Sequence, residues 1–143
     1  MPRRTHRSEI VRVRGLPVMA VLLVLGGTAT ACGSHQPLRV EIRVHYSRFE
    51  PSTVTVPRGV PVTFVLVNTD PIDHEWLIGD AAFHQRHRTG TEAVHEERPN
   101  ELTLPALHAV QTTLTFDEPG ELAFICHLPG HEAYGMVGTL TVL

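Results

Sequence analysis

From residue 38 onward, apolar and polar side chains alternate in short runs cut by proline and glycine. Val40, Ile42, Val44 and Tyr46 interleave with Glu41, Arg43 and His45, the period of a strand with one buried face. Thr53–Val56 is a second run, bounded by Pro51 and by Pro57-Arg58-Gly59. Residues 61–68 are dense in β-branched and aromatic side chains, and Asn68-Thr69-Asp70-Pro71 supplies turn chemistry after them. Residues 75–78, 109–116, 122–126 and 137–143 repeat the pattern, with Asp117-Glu118-Pro119-Gly120 as a further turn. Seven to eight short strands with regular turns predict an all-β domain, a sandwich of two antiparallel sheets. Residues 79–101 break the pattern, being polar and rich in charge. One short helix is expected within 80–101: Thr89 and Glu92 stand as in a capping box ahead of residues 93–98, and Pro99 follows.

The front of the chain changes the picture of where this domain works. Five arginines and one acid occupy residues 1–15, an apolar stretch runs over 16–29, and Ala29-Thr30-Ala31-Cys32 follows. Basic region, apolar core and small-residue exit make a secretory signal peptide, and the core is shorter than the roughly 20 apolar residues of a spanning helix. The expected division is a signal peptide over 1–31, a polar linker over 32–37 and a folded domain over 38–143. Thr30-Ala31-Cys32-Gly33 resembles the end of a lipoprotein cleavage motif, though Ala29 stands where that motif usually has leucine. Lipidation of Cys32 is favoured, with a lipid anchor on the extracytoplasmic face of a bacterial membrane. Simple secretion into the periplasm or medium is the alternative, since ordinary cleavage after Ala31 exposes the same residue.

Charge and cysteine count narrow the function. The leader takes five of the twelve arginines and one of the fifteen acids, which leaves seven against fourteen, a net charge of about −7 with histidines neutral. An acidic domain argues against nucleic acid and anionic lipid as partners and for a protein with a basic docking face. The chain has two cysteines. With Cys32 lipidated, Cys126 has no disulfide partner in an oxidising compartment, and metal ligation gives such a thiol a purpose.

The chemistry concentrates in Cys126-His127-Leu128-Pro129-Gly130-His131-Glu132-Ala133-Tyr134-Gly135-Met136. A thiolate, an imidazole and a thioether stand five residues apart on one loop between two strands. A fourth donor must come from elsewhere, and His74 sits at a strand end in Asp73-His74-Glu75. Two histidines, one cysteine and a weak methionine form the ligand set of trigonal blue-copper electron-transfer sites, where thiolate and thioether suit Cu(I) and imidazole suits both valences.

Over nearly all of 38–143 the sequence resembles the cupredoxins, the plastocyanin and azurin family. The resemblance rests on Phe49-x-Pro51, Val54-x-Val56-x-x-Gly59, Asn68, the upstream His74, Pro119-Gly120 and the Cys126-x4-His131-x4-Met136 loop leading into Val137-Gly138. It implies a Greek-key β-sandwich with one copper held near the surface at one end. It also implies His74, Cys126 and His131 as equatorial ligands, Met136 as the axial one, and the His131 ring edge as the docking point for redox partners. Many members carry asparagine or a small residue after the first histidine, supporting the cysteine sulfur; this chain has Glu75.

Outer-sphere electron transfer by a monomer, with no substrate transformed, is therefore the leading expectation. An extracytoplasmic copper chaperone or buffer is the alternative, kept open by His84, His87 and His95 among Glu92, Glu96 and Glu97, which could bind a second metal. Cys126-His127 also resembles the end of a multicopper oxidase, but Ile125 precedes the cysteine and one sandwich is too little chain. A binuclear copper centre needs two cysteines on this loop. A redox enzyme would need a second copper formed between subunits.

Overall fold

The computed structural model describes residues 37–90 and 98–143. The expected signal peptide over 1–31, Cys32 and nearly all of the expected linker lie outside the described residues, as do residues 91–97 with His95.

Nine strands and one helix follow in order: β1 (Leu38–Val44), β2 (Phe49–Glu50), β3 (Thr53–Val56), β4 (Val62–Asn68), β5 (His74–Gly79), α1 (Ala81–Thr89), β6 (Glu101–Leu104), β7 (Ala109–Leu114), β8 (Gly120–Ile125) and β9 (Val137–Val142). One sheet has the order β2-β1-β4-β7 and the other β3-β9-β8-β5-β6. The alternation is realised in β1, where Ile42 and Val44 are buried while Arg39, Glu41 and Arg43 face solvent.

The sheets are mixed rather than antiparallel. β1 runs parallel to β4, Leu38 opposite Val62 and Val44 opposite Asn68, and β3 runs parallel to β9, Thr53 opposite Thr139. The cause is the chain's early change of sheet. After β2 it crosses to the other sheet as β3 and returns as β4, so β4 lies beside β1 without a hairpin joining them. Two strands beyond the seven runs of the pattern also form. β2 has two residues, and β6 lies in the polar segment, paired to β5 through His74↔Leu104 and Leu77↔Glu101.

A helix does form within 80–101, over Ala81–Thr89; the segment 93–98 that the capping box indicated lies, but for Arg98, outside the described residues. Asp80 caps the helix, its side chain accepting from the Phe83 N–H at 2.7 Å, and Gly90 ends it in the left-handed region at φ 66°. Thr89 is the last residue of this helix. The helix seats on the second sheet through Phe83 and His84, both buried.

Between the sheets lie Ile42, Val44, Phe49, Phe64, Leu66, Trp76, Phe124 and Leu140. Phe64 lies 5.1 Å from Trp76 between ring centroids, and Phe49 meets Phe124 edge-on at 5.2 Å. Truncating one such aromatic to alanine costs about 3–5 kcal/mol, so this layer is a firm base for whatever the strand ends carry. At one end of the sandwich β8 runs out of Ile125 into Cys126, and β5 begins at His74. Their antiparallel register, Leu77 opposite Ile125, brings those two ends together.

Candidate metal centre

His74, Cys126 and His131 converge although 57 residues separate the two histidines. One ligand atom from each lies within 4.8 Å of the others. His74 Nδ1 is 3.2 Å from His131 Nδ1, and Cys126 Sγ is 3.3 Å from His131 Nδ1. His74 and Cys126 are fully buried, while His131 is half-buried at the edge.

The loop that carries two of these donors is wound tightly. The His131 N–H donates to Leu128 O, Tyr134 N–H to Gly130 O and Gly135 N–H to Glu132 O. Gly130 and Gly135 take φ of 86° and 90°, a region that side chains resist and glycine does not. Met136, fully buried, closes the loop: its N–H donates to His131 O and its carbonyl accepts from the Cys126 N–H at 3.2 Å.

His74 is held from behind. Its Nε2 lies 3.0 Å from Asp70 Oδ2; a carboxylate oxygen accepts, so the ring proton sits on Nε2 and Nδ1 faces Cys126 and His131 with its lone pair. Asp70 also accepts from the N–H groups of Tyr46 at 2.8 Å and Ser47 at 2.7 Å. Those two residues adopt positive φ, 50° and 52°, which is why β1 stops at Val44 rather than running on through Tyr46. Burial acts to raise the Asp70 pKa, but the two backbone donors and His74 outweigh it and hold the carboxyl below its ordinary value. Burial likewise holds His74 below the ordinary histidine value, with Asp70 working the other way. Asn68 fixes the turn, donating to Ile72 O and Leu104 O and accepting from the Asp70 N–H. Asp70 reads in the sequence only as a turn residue, although an acid four positions before a candidate ligand is a usable signal.

The Cys126 sulfur receives the Glu75 backbone N–H at 3.4 Å. Support for the sulfur therefore comes from the main chain, and the glutamate in place of asparagine leaves it intact. Burial pushes the Cys126 thiol up, against the pull of backbone donors at Glu75 and Leu128.

His84 and His87 approach His127; His95, with Glu92, Glu96 and Glu97, lies outside the described residues. His84 Nδ1 lies 2.9 Å from His127 Nε2, and the His87 ring stacks on His127 at 5.4 Å. Arg88 of α1 grips Glu132 of the loop with two guanidinium nitrogens, at 2.6 and 3.0 Å. That guanidinium, first among several causes, holds the Glu132 carboxyl below its ordinary value. The helix thus braces the ligand loop from outside.

A buried thiol and two imidazole nitrogens facing one point, the thiol and the His74 ring each with its own supporting hydrogen bond, fit a copper ion by donor chemistry. No helix among the described residues is long and apolar enough to cross a membrane.

Comparison with known proteins bears on the metal. The sequence profile of the cupredoxin-like domain matches residues 16–142. The chain is 34% identical over 98 residues to the copper-resistant cuproprotein CopI of Rubrivivax gelatinosus, a match covering 66% of this chain and 59% of that protein. It is 28% identical to the CopI of Pseudomonas aeruginosa, covering 82% of this chain and 81% of the relative. Among solved structures, auracyanin B superposes with a TM-score of 0.64 at 26% identity, covering 76% of this chain and 91% of auracyanin B. The chain belongs to the cupredoxin-like family, and His74, Cys126 and His131 are placed to hold its copper.

Proposed function

We propose that this protein is a blue-copper electron carrier, lipid-anchored through Cys32 at the extracytoplasmic face of a bacterial membrane. The convergence of His74 Nδ1, His131 Nδ1 and Cys126 Sγ at the end of the sandwich carries the reading. Met136, last residue of the same loop and fully buried, is the fourth donor in this reading.

Bound there, copper supplies a one-electron couple between Cu(I) and Cu(II). The residues do the rest. Asp70 fixes the ring of His74, the Glu75 N–H holds the sulfur, and the loop turns fix His131, so the donors stay in place when the valence changes. Burial of His74, Cys126 and Met136 keeps water from the centre. His131 alone of the three converging donors reaches the surface, and an electron leaves or enters most directly through its ring edge, toward a partner with a basic docking face.

The test is a copper titration of the chain from Gly33 onward, followed by visible absorption and electron paramagnetic resonance. An intense thiolate-to-copper band with narrow parallel hyperfine splitting, lost in Cys126→Ser, is expected. A pale complex with ordinary splitting that survives Cys126→Ser overturns the ligand set.

A second reading, copper buffering or delivery, draws on the printed name of the CopI relatives and on the histidine group at His127. It predicts that copper leaves to a competing acceptor within minutes, whereas an electron carrier keeps its ion through many redox cycles.

A further inference from the structure

We infer that His84 and His127 form a second metal site, specific for copper(II), where α1 meets the base of the ligand loop. The inference stands apart from the blue-copper reading, since it uses none of the four donors assigned there.

Two nitrogens from different elements are aimed at each other: His84 Nδ1 from α1 and His127 Nε2 from the loop, 2.9 Å apart. Each ring is oriented by its far nitrogen. His84 Nε2 lies 3.1 Å from Ala123 O of β8. A carbonyl only accepts, so that nitrogen carries the proton and Nδ1 of a neutral ring presents its lone pair to His127. His127 Nδ1 lies 3.5 Å from Glu132 Oε2, again a group that only accepts. With the proton of a neutral His127 on Nδ1, two lone pairs confront each other at 2.9 Å. With it on Nε2, a lone pair confronts the carboxylate instead. A cation bound to both nitrogens, to one side of the line that joins them, relieves both conflicts at once.

The arrangement repeats that of the first site within the same fold. There too a pair of ring nitrogens face each other, at 3.2 Å, and the far nitrogen of His74 is held by an acceptor. Metal-bound histidines characteristically give their other ring N–H to a carboxylate or carbonyl; His84 has such a carbonyl in Ala123, and the Glu132 carboxylate stands 3.5 Å from the far nitrogen of His127.

Geometry selects the ion. With nitrogens about 2.0–2.1 Å from a metal, a separation of 2.9 Å subtends about 90° at the ion. Cis donors at right angles are those of a tetragonal nitrogen–oxygen site, which copper(II) prefers; a tetrahedral ion would need the rings moved apart. Access is available from a cleft of about 500 Å³ lined by His87, Arg88, His127, Pro129 and Glu132, with the Arg88 guanidinium paired to Glu132, and water can complete the coordination through it.

The experiment uses the chain from Gly33 onward with one copper already in the blue site. A second equivalent of copper(II) is added, followed by metal analysis and electron paramagnetic resonance. A second signal with wide parallel hyperfine splitting is expected. Its affinity should fall at least about tenfold in both His84→Gln and His127→Gln and stay unchanged in His108→Gln, an exposed control. One copper per chain in the wild type, or a second copper indifferent to both substitutions, overturns the site. Where a variant loses the blue band and so its fold, the wild type decides through long-range proton–nitrogen correlation spectra. With Cu(I) in the blue site and copper(II) added as a paramagnetic probe, the ring signals of His84 and His127 should broaden together. Unbroadened resonances, or the pattern of a doubly protonated His127 ring before copper(II) is added, overturn the proposal, since a proton then occupies the place assigned to the metal.

Discussion

Asp70 meets three donors with two oxygens: the N–H of Tyr46, the N–H of Ser47 and the Nε2 of His74. One carboxylate thereby holds a left-handed turn and a metal-facing ring in the same place. In Asp70→Asn one oxygen becomes an NH2 group that faces donors, so at least one contact turns repulsive and the His74 ring loosens. Copper affinity should fall about 10- to 100-fold, read by competition against a chromogenic Cu(I) chelator, with the fold retained by circular dichroism. An unchanged affinity would mean that strand β5 alone orients His74. Cys126 makes a prediction of the opposite kind, about a proton. Burial pushes its thiol up, so at neutral pH the metal-free sulfur is protonated and copper must displace that proton. Below the thiol pKa the apparent affinity should therefore rise with pH, by about tenfold per unit for one proton released. Calorimetry in two buffers of different ionisation enthalpy counts that proton directly; a count near zero would place a thiolate in the metal-free protein.

Among the elements, β8 and β9 show how closely the site rests on packing. Gly138 pairs with Phe124 across them, and a Cβ at Gly138 would stand 2.1 Å from the Phe124 ring and 2.8 Å from the Ser52 carbonyl. Gly138→Ala should destabilise the protein by about 1–3 kcal/mol through overpacking, measured as a lower urea midpoint. Adding Phe124→Leu to Gly138→Ala should recover part of the loss, because the ring is one of the two obstacles. The same elements show what a sequence can display. Val40, Ile42 and Val44 announce β1 because burial on one face imposes a period of two. Cys126, His131 and Met136 announce the ligand loop because their spacing is local and their chemistry unusual in combination. The parallel pairing of β1 with β4 is invisible in that pattern, since alternation says which face is buried and not which neighbour is bonded. Helix α1 escapes it too: AAFHQRHRT carries one large apolar side chain, Phe83, so no stripe exists to detect. Its ends are set instead by Asp80 and Gly90. The meeting of His84 with His127 across 43 positions follows only once α1 is seated on β8.

At the scale of the whole molecule, the acids and the metal end belong to one electrostatic object. Residues 32–143 carry about −7 with histidines neutral, and acids sit beside two of the converging donors: exposed Asp73 before His74 and half-buried Glu132 after His131. Loops at the same end present apolar surface, with Ile72, Leu107 and Tyr134 exposed. A field of this sign draws cations toward the His131 edge and repels anions. Steering of this kind changes association rates by about 10- to 1,000-fold at low salt and fades as the screening length shrinks to about 8 Å at physiological ionic strength. Oxidation of the copper-loaded, reduced protein by two small inorganic oxidants, one cationic and one anionic, separates the field from the driving force. Followed by the return of the blue band in stopped flow, the rate with the cationic oxidant should fall as salt is raised, and the rate with the anionic oxidant should rise. Neutralising Asp73 and Glu132 together should shrink both slopes. Two slopes of the same sign would mean that electrons cross at a face these acids do not reach, and the docking point would then have to be sought away from His131.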